Sequence, residues 1–359
     1  MSECQPKTSI LAIKPYKPGE SKISGSGEVL KLSANENPLG CSPAVQNYNF
    51  NATEFQRYPD GDSTELKQKL AKQFLLRPEQ LICGAGSDEI FNMIMTAFTD
   101  TGDEIIHTEH GFLMYKLYAL AAGAVPVAVR ETNLTCDIEN ILAAVTAKTK
   151  IVFIANPNNP TGSYISAEQL EELRQKLPSN ILLVIDGAYA EYVVETDYES
   201  GINLAKKYTN VIATRTFSKI YGLAALRVGY AVADPQIIDY LNRVRSPFNV
   251  NKLGQEIAEL AIEDQDFIKE SREFNLKAIA EFSEFFSNLG VTYQDTVANF
   301  ILINLKTAQQ ATEFCDFLAR HSIIVRPVAA YALPEWVRIS FGDAAANKKL
   351  KEAISKYYG

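Results

Sequence analysis

The chain has 359 residues, 47% of them hydrophobic, 10% aromatic and 22% charged, with a formal net charge of -8. That length exceeds what a single core usually serves, so two lobes are expected, and the apolar and aromatic content excludes a disordered polymer. A pI near 5.2 excludes a general nucleic-acid binder, which would need a surplus of Lys and Arg.

Residues 1 to about 30 are rich in Pro, Gly, Ser and Lys and read as an extended arm. From about residue 63 helical patterns alternate with short apolar runs: "STELKQKLAKQFLL" as helix, "QLICGAG" as strand, "SDEIFNMIMTAF" as helix, "DEIIHTE" as strand, "MYKLYALAAGA" as helix and "VPVAVR" as strand. The alternation continues through "KIVFIAN", "AEQLEELRQKL", "ILLVID" and "NVIATRTF". Near-continuous apolar strands separated by helices predict an α/β fold, a mostly parallel sheet flanked by helices. Near residue 235 the pattern changes to long helices, with residues 251–290 reading as one helical run. It ends in a mixture of strands ("ANFILINL", "IIVRPV", "WVRISFG") and helices that predicts a smaller α+β domain. The expected division is 1–50 as arm and part of the small domain, 51–255 as large domain, and 256–359 as interdomain helix and small C-terminal domain.

Five scattered cysteines (Cys4, Cys41, Cys83, Cys136, Cys315) without C-x-x-C spacing read as reduced thiols. Three histidines (His107, His110, His321) without a ligand motif predict no metal site. The N-terminal stretch lacks a basic start and apolar core, and no apolar run approaches the roughly 20 residues that span a bilayer. A cytoplasmic protein without membrane association is expected.

The strand "ILLVID" delivers the carboxylate of Asp186 to its end, and "VIATRTF" ends just before Ser218 and Lys219. A buried acid needs a cation or hydrogen-bond donors. A structural Asp–Lys pair accounts for these two residues as well as a functional site does. In "CGAGSDEIF" a strand, a small-residue loop and a helix beginning near Ser87 follow one another, an arrangement that suits an anion but also a simple helix start. It is neither G-x-G-x-x-G nor a Walker loop. After the strand "IVFI" comes "ANPNNPTG", where two prolines stiffen a turn and Asn159 offers an amide. All four lie at carboxyl ends of predicted strands, where parallel sheets bind ligands.

With "SANENP", "RYPDG", "DGAYAEY", "TFSKIYGLAALRVGY" and "VRIS" in the same order, the chain resembles the fold type I pyridoxal-phosphate (PLP) aminotransferases, class II subgroup, nearest to those acting on histidinol phosphate. The resemblance spans residues 15 to 342. It implies that Lys219 bonds the aldehyde of PLP and moves a proton at the substrate, that Asp186 pairs with the ring nitrogen, and that Asn159 and Tyr189 hydrogen-bond the phenolic oxygen. It also implies that Phe112 stacks on the ring and that Ser87, Asp88, Ser218 and Arg227 anchor the phosphate. Tyr58 would reach the phosphate of a neighbouring subunit, which implies a homodimer with shared active sites.

For substrate the resemblance assigns Arg338 to a carboxylate, Arg326 and Tyr16 to a substrate phosphate, and Asn35 to the same cleft. It implies transamination between L-histidinol phosphate, a small-molecule amino donor, and a 2-oxo acid, 2-oxoglutarate, within histidine biosynthesis. Gly187 departs from the acidic residue of many relatives. The apolar "RPVAAYALPEW" keeps a broad or aromatic aminotransferase open as an alternative. A PLP-dependent decarboxylase of a phosphorylated amino acid and a non-catalytic PLP-binding module are the remaining readings. A cis bond is expected at Asn159–Pro160.

Overall fold

The computed structural model describes residues 6–15, 29–49 and 54–359. A short strand β1 (Leu30–Lys31) precedes the strands of the main sheet: β2 (Leu81–Gly84), β3 (Glu104–Thr108), β4 (Val125–Val129), β5 (Thr149–Ala155), β6 (Leu182–Asp186), β7 (Val211–Thr216) and β8 (Gly229–Val232). Their order across the sheet is β2-β8-β7-β6-β5-β3-β4. All neighbours are parallel except β8, which runs antiparallel to both β2 and β7. The fold is thus the expected α/β class with a mostly parallel sheet, but β8 was not anticipated. Its four residues, Gly-Tyr-Ala-Val, are too few to show a period.

Successive side chains of the central strands enter opposite cores. Ile151 and Phe153 belong to one apolar cluster with Val184 and Ile212, whereas Val152 and Ile154 belong to the other with Leu183, Ile185 and Val211. Helices cover both faces, which explains why these strands read as unbroken apolar runs.

The small domain contains β9 (Tyr293–Gln294), β10 (Phe300–Asn304), β11 (Ile323–Ile324), β12 (Arg326–Pro327) and β13 (Trp336–Ser340). Four of these form an antiparallel sheet in the order β12-β13-β10-β9, while β11 pairs in parallel with β1. The segment "IIVRPV" therefore divides between two sheets at Val325. The predicted single helical run also divides, into helices Lys252–Glu263 and Gln265–Asn288. Asp264 turns between them, and its carboxylate accepts from the Phe267 N–H to cap the second. Phe267 and Ile268 pack in the core of the large domain, and Ala278, Phe282 and Phe286 of the same helix pack in that of the small domain.

Within the predicted arm, Thr8–Leu11 is helical and packs against the helix Leu113–Ala122. No helix among the described residues is long and apolar enough to cross a membrane.

Candidate active site

Asp186 ends β6, a strand buried along its whole length, and its carboxylate faces a cavity at the carboxyl edge of the sheet. Tyr115 donates its hydroxyl to Oδ2 at 2.6 Å, while the Thr214 hydroxyl (3.3 Å) and the Ala188 N–H (3.2 Å) reach Oδ1. Burial pushes the carboxyl up to about 6, against the hydrogen bond from Tyr115; Asp88 adds to the rise and Arg215 opposes it. Such a site holds a carboxylate poised to gain from a cation placed before it.

On the opposite side, the loop after β2 leads through Gly86 into the helix Ser87–Phe98. Gly86 adopts φ +79°, and a Cβ there would meet Arg227 Nη2 at 2.5 Å, so glycine is needed both for the turn and for the guanidinium beside it. Arg227 donates to Ser218 Oγ (3.1 Å) and to Asp88 Oδ2 (3.2 Å). Thr216 also donates to Ser218 Oγ (3.0 Å), which leaves the Ser218 proton free to point elsewhere. Ser87, Asp88, Ser218 and Arg227 thus surround one corner, and no side chain caps the helix. A helix start, a hydroxyl and a guanidinium form an anion cup. The Asp88 carboxylate, whose Oδ1 has no hydrogen-bond partner, holds Arg227 at its mouth.

Lys219 stands between cup and carboxylate, its ammonium donating to the Ala34 carbonyl at 3.2 Å and lying 5.6 Å from the Tyr189 ring centre. Burial, followed by the nearby Arg338, brings its pKa down to about 8. About a tenth of the amine is therefore neutral at pH 7, against a few parts in ten thousand for an ordinary lysine. Phe112 lines the cavity wall and meets Tyr115 edge to face at 5.7 Å.

Behind these lining residues, the small domain and the N-terminal segment hydrogen-bond to Asn159, Tyr189 and Lys219. Arg338, on β13, donates through Nη1 to Asn159 Oδ1 and through Nη2 to the Ser33 carbonyl (2.8 Å), and its guanidinium lies 5.2 Å from the Phe300 ring. Because Asn159 accepts from arginine with its oxygen, its NH2 group remains available on the other side. Both Asn159–Pro160, as expected, and Asn156–Pro157 are cis. Asn35 is 1% exposed and does not line the cavity; its amide donates to the Tyr189 hydroxyl at 2.8 Å and its own Oδ1 accepts from Ser340. The Tyr189 proton is thereby left to point away from Asn35.

Of the residues singled out in the sequence, Ser87, Asp88, Phe112, Asn159, Asp186, Tyr189, Ser218, Lys219 and Arg227 line this one cavity. Arg326 lies across from Arg338 in the β12–β13 ladder but lines a neighbouring groove with Lys14 and Lys116. Tyr58 is 81% exposed, stacked on Phe248 at 4.5 Å and outside the cavity. Tyr16 lies outside the described residues. Sequence reasoning missed Tyr115, Thr214 and Thr216. Tyr115 sits 71 positions before Asp186 inside a helix, and no local pattern joins them. Within "RPVAAYALPEW", Val328, Tyr331 and Leu333 turn inward and form an apolar cluster with Leu302, against which Leu113 and Trp336 pack, while Arg326, Pro327 and Ala330 line the neighbouring groove.

An anion cup, a buried carboxylate, an aromatic wall and an amine of lowered pKa fit a flat phosphorylated aldehyde with a basic ring nitrogen, the outline of PLP.

Comparison with known proteins agrees. The family model for aminotransferase class I and II matches residues 27–354. The chain is 45% identical over 358 residues to a histidinol-phosphate aminotransferase of Dinoroseobacter shibae, covering 99% of both, and 43% identical to that of Maricaulis maris, covering 98% of both. Among solved structures, the histidinol-phosphate aminotransferase of Sinorhizobium meliloti in complex with pyridoxal-5'-phosphate superposes with a TM-score of 0.91 at 26% identity, covering 99% of this chain and 98% of that one. With sequence, fold and cavity in agreement, the chain belongs to the class I and II aminotransferase family.

Proposed function

We propose that this enzyme uses PLP to transfer an amino group from L-histidinol phosphate to 2-oxoglutarate, giving imidazole acetol phosphate and L-glutamate in histidine biosynthesis. The reading is carried by nine expected cofactor-site residues lining one cavity, beside Arg338. The names borne by its full-length relatives support the choice of substrate.

PLP, when bound, supplies an electron sink for the pair left at the donor carbon when a proton departs. The chain's own residues do the rest. Lys219 Nζ is the amine that would hold the cofactor's aldehyde and, when free, would carry the proton between the donor Cα and the cofactor carbon on the far side of the amine nitrogen. Asp186 keeps the ring nitrogen protonated. The Tyr189 hydroxyl, freed by Asn35, and the Asn159 NH2 group, freed by Arg338, donate to the phenolic oxygen. Phe112 would cover a face of the ring, and the Ser87 and Asp88 backbone, Ser218 and Arg227 would hold the phosphate. Arg338 takes the α-carboxylate of 2-oxoglutarate or glutamate. L-Histidinol phosphate carries a phosphate ester in place of that group, and Arg326, which lines the neighbouring groove, is the cation assigned to this charge. The exposed stack of Tyr58 on Phe248 suits a surface covered by a second copy, in a cytoplasmic homodimer with shared sites.

Tyr331 and Trp336 pack away from the cofactor cavity, while Pro327 and Ala330 meet Leu113, Leu117 and Leu120 in the neighbouring groove, so the aromatic alternative is decided by the substrate test. The test offers L-histidinol phosphate, phenylalanine, tyrosine and aspartate separately to the loaded enzyme and follows its visible absorbance by stopped flow. Strong preference for histidinol phosphate is expected. Equal or better reaction with the aromatic amino acids would overturn the substrate assignment.

A further inference from the structure

Gly187 follows Asp186 directly, yet it is absent from the positive-φ glycines, so backbone conformation does not require it. Space does. A Cβ at 187 would lie 1.9 Å from Arg215 Nη1 and 2.6 Å from its Cζ, so the guanidinium lies against the glycine itself. Arg215 is 1% exposed and is the largest of the fully buried side chains among the described residues. Its Nη1 donates to the Thr214 carbonyl (2.8 Å), its Nη2 to the Ser200 carbonyl (2.6 Å), and its Nε lies 3.5 Å from Glu191. The Gly187 N–H donates to that same Thr214 carbonyl at 3.0 Å. Thr214, through its hydroxyl, and the next N–H of the turn, Ala188, are the two donors to Asp186 Oδ1.

We propose that Arg215, seated in the space left by Gly187, is a positioning residue that holds the Asp186 turn against β7 and keeps the carboxylate charged from behind the sheet. The proposal rests on the reading of Asp186 as partner of the cofactor ring nitrogen. Around that carboxylate, Tyr115 donates from the helix Leu113–Ala122, Asp88 repels from the helix Ser87–Phe98, and Tyr189 and Tyr198 stand on the segment after β6. Arg215 is the cation of the set, and Glu191 offsets part of its charge. A buried, fully paired arginine is a poor device for stability alone, since apolar replacements often serve as well. Sharing one carbonyl with the Asp186 turn gives it a second task.

The experiment reconstitutes cofactor-free protein with PLP and measures the dissociation constant from pH 5 to 9, together with melting temperature, for wild type, Arg215→Gln, Arg215→Lys, Gly187→Ala and Asp186→Asn. For Arg215→Gln the pH midpoint of binding is expected to move up by about one unit, with affinity about fivefold weaker at pH 6 and unchanged at pH 9. Arg215→Lys, which keeps the charge but not the fork, should melt lower with the wild-type midpoint. Gly187→Ala should move the midpoint as Arg215→Gln does, and it carries the test if Arg215→Gln does not fold. A lower melting temperature with an unmoved midpoint in both Arg215→Gln and Gly187→Ala would overturn the proposal. If Asp186→Asn itself binds PLP with wild-type affinity and pH profile, the reading of Asp186 falls and this inference falls with it.

Discussion

The cofactor wall of the cavity stands on the ends of one hydrogen-bonded sheet, whereas the substrate wall, hydrogen-bonded to its lining residues from behind, comes from the N-terminal segment and the small domain. Asp186, Thr214 and Thr216 are fixed by the ladders of β6 and β7, and the anion cup by the β2 end next to β8. Arg338 and the N-terminal segment touch its lining residues through a few long-range bonds: Arg338 to Asn159, Asn35 to Tyr189 and Lys219 to Ala34, with Arg338 also bound to Ser33. The sheet ends thus carry the cofactor, and the substrate side acts on it through single hydrogen bonds to Asn159, Tyr189 and Lys219. Changes on the small-domain wall should alter turnover while leaving PLP in place.

The sharpest test lies at the junction of the two walls. Lys219→Ala should keep the fold and PLP phosphate binding, lose the visible band of the bound aldehyde, and reduce turnover by about 10⁴-fold or more. Turnover near the wild-type rate would remove the central assignment. On the substrate wall, Arg338→Lys loses the planar fork and should lower kcat/KM for 2-oxoglutarate by about 100-fold, while the PLP dissociation constant changes less than about threefold. A parallel collapse of PLP affinity would break the separation. A smaller effect is expected for Asn35→Ala, which releases the Tyr189 hydroxyl: kcat should fall about tenfold, measured with saturating substrates, with cofactor affinity nearly unchanged.

The cofactor wall carries its own signature in pH. Burial holds the folded-state pKa of Asp186 at about 6, above the ordinary carboxylate value of 3.8, so the unfolded chain ionises first. In cofactor-free protein this group therefore costs nothing at low pH, costs progressively more as pH rises from about 4 to 6, and costs its full amount above 6. Asp186→Asn should stabilise the cofactor-free protein by about 3 kcal/mol at pH 8 and by about half as much at pH 5, read by urea denaturation, while weakening PLP binding. Stabilisation that did not grow between pH 5 and 8 would contradict the burial argument.

Much of the cofactor wall was legible because each of its residues sits at a local boundary. Asp186 ends an apolar run, Ser87 follows a glycine loop, and Lys219 follows the last parallel strand. The β8 strand, the break at Asp264 and the division of "IIVRPV" were not legible, since each depends on which neighbour a short segment meets. Arg215 is the clearest case. Within "VIATRTF" it reads as a strand residue whose charge seeks solvent, yet it is buried between Glu191, Ser200 and a glycine.

The sequence by itself determined the alternation of strands and helices, the order of the motifs and the chemistry offered at each strand end, because period, turn residues and charge are local properties. Only the tertiary structure decided that Tyr115 serves Asp186, that Asn35 directs Tyr189, that Arg338 holds Asn159, and that Arg326 faces a separate groove. These pairings lie 71, 154 and 179 positions apart for the first three, and hydrogen bonds of that range are set by the packing of sheets and helices rather than by any spacing along the chain.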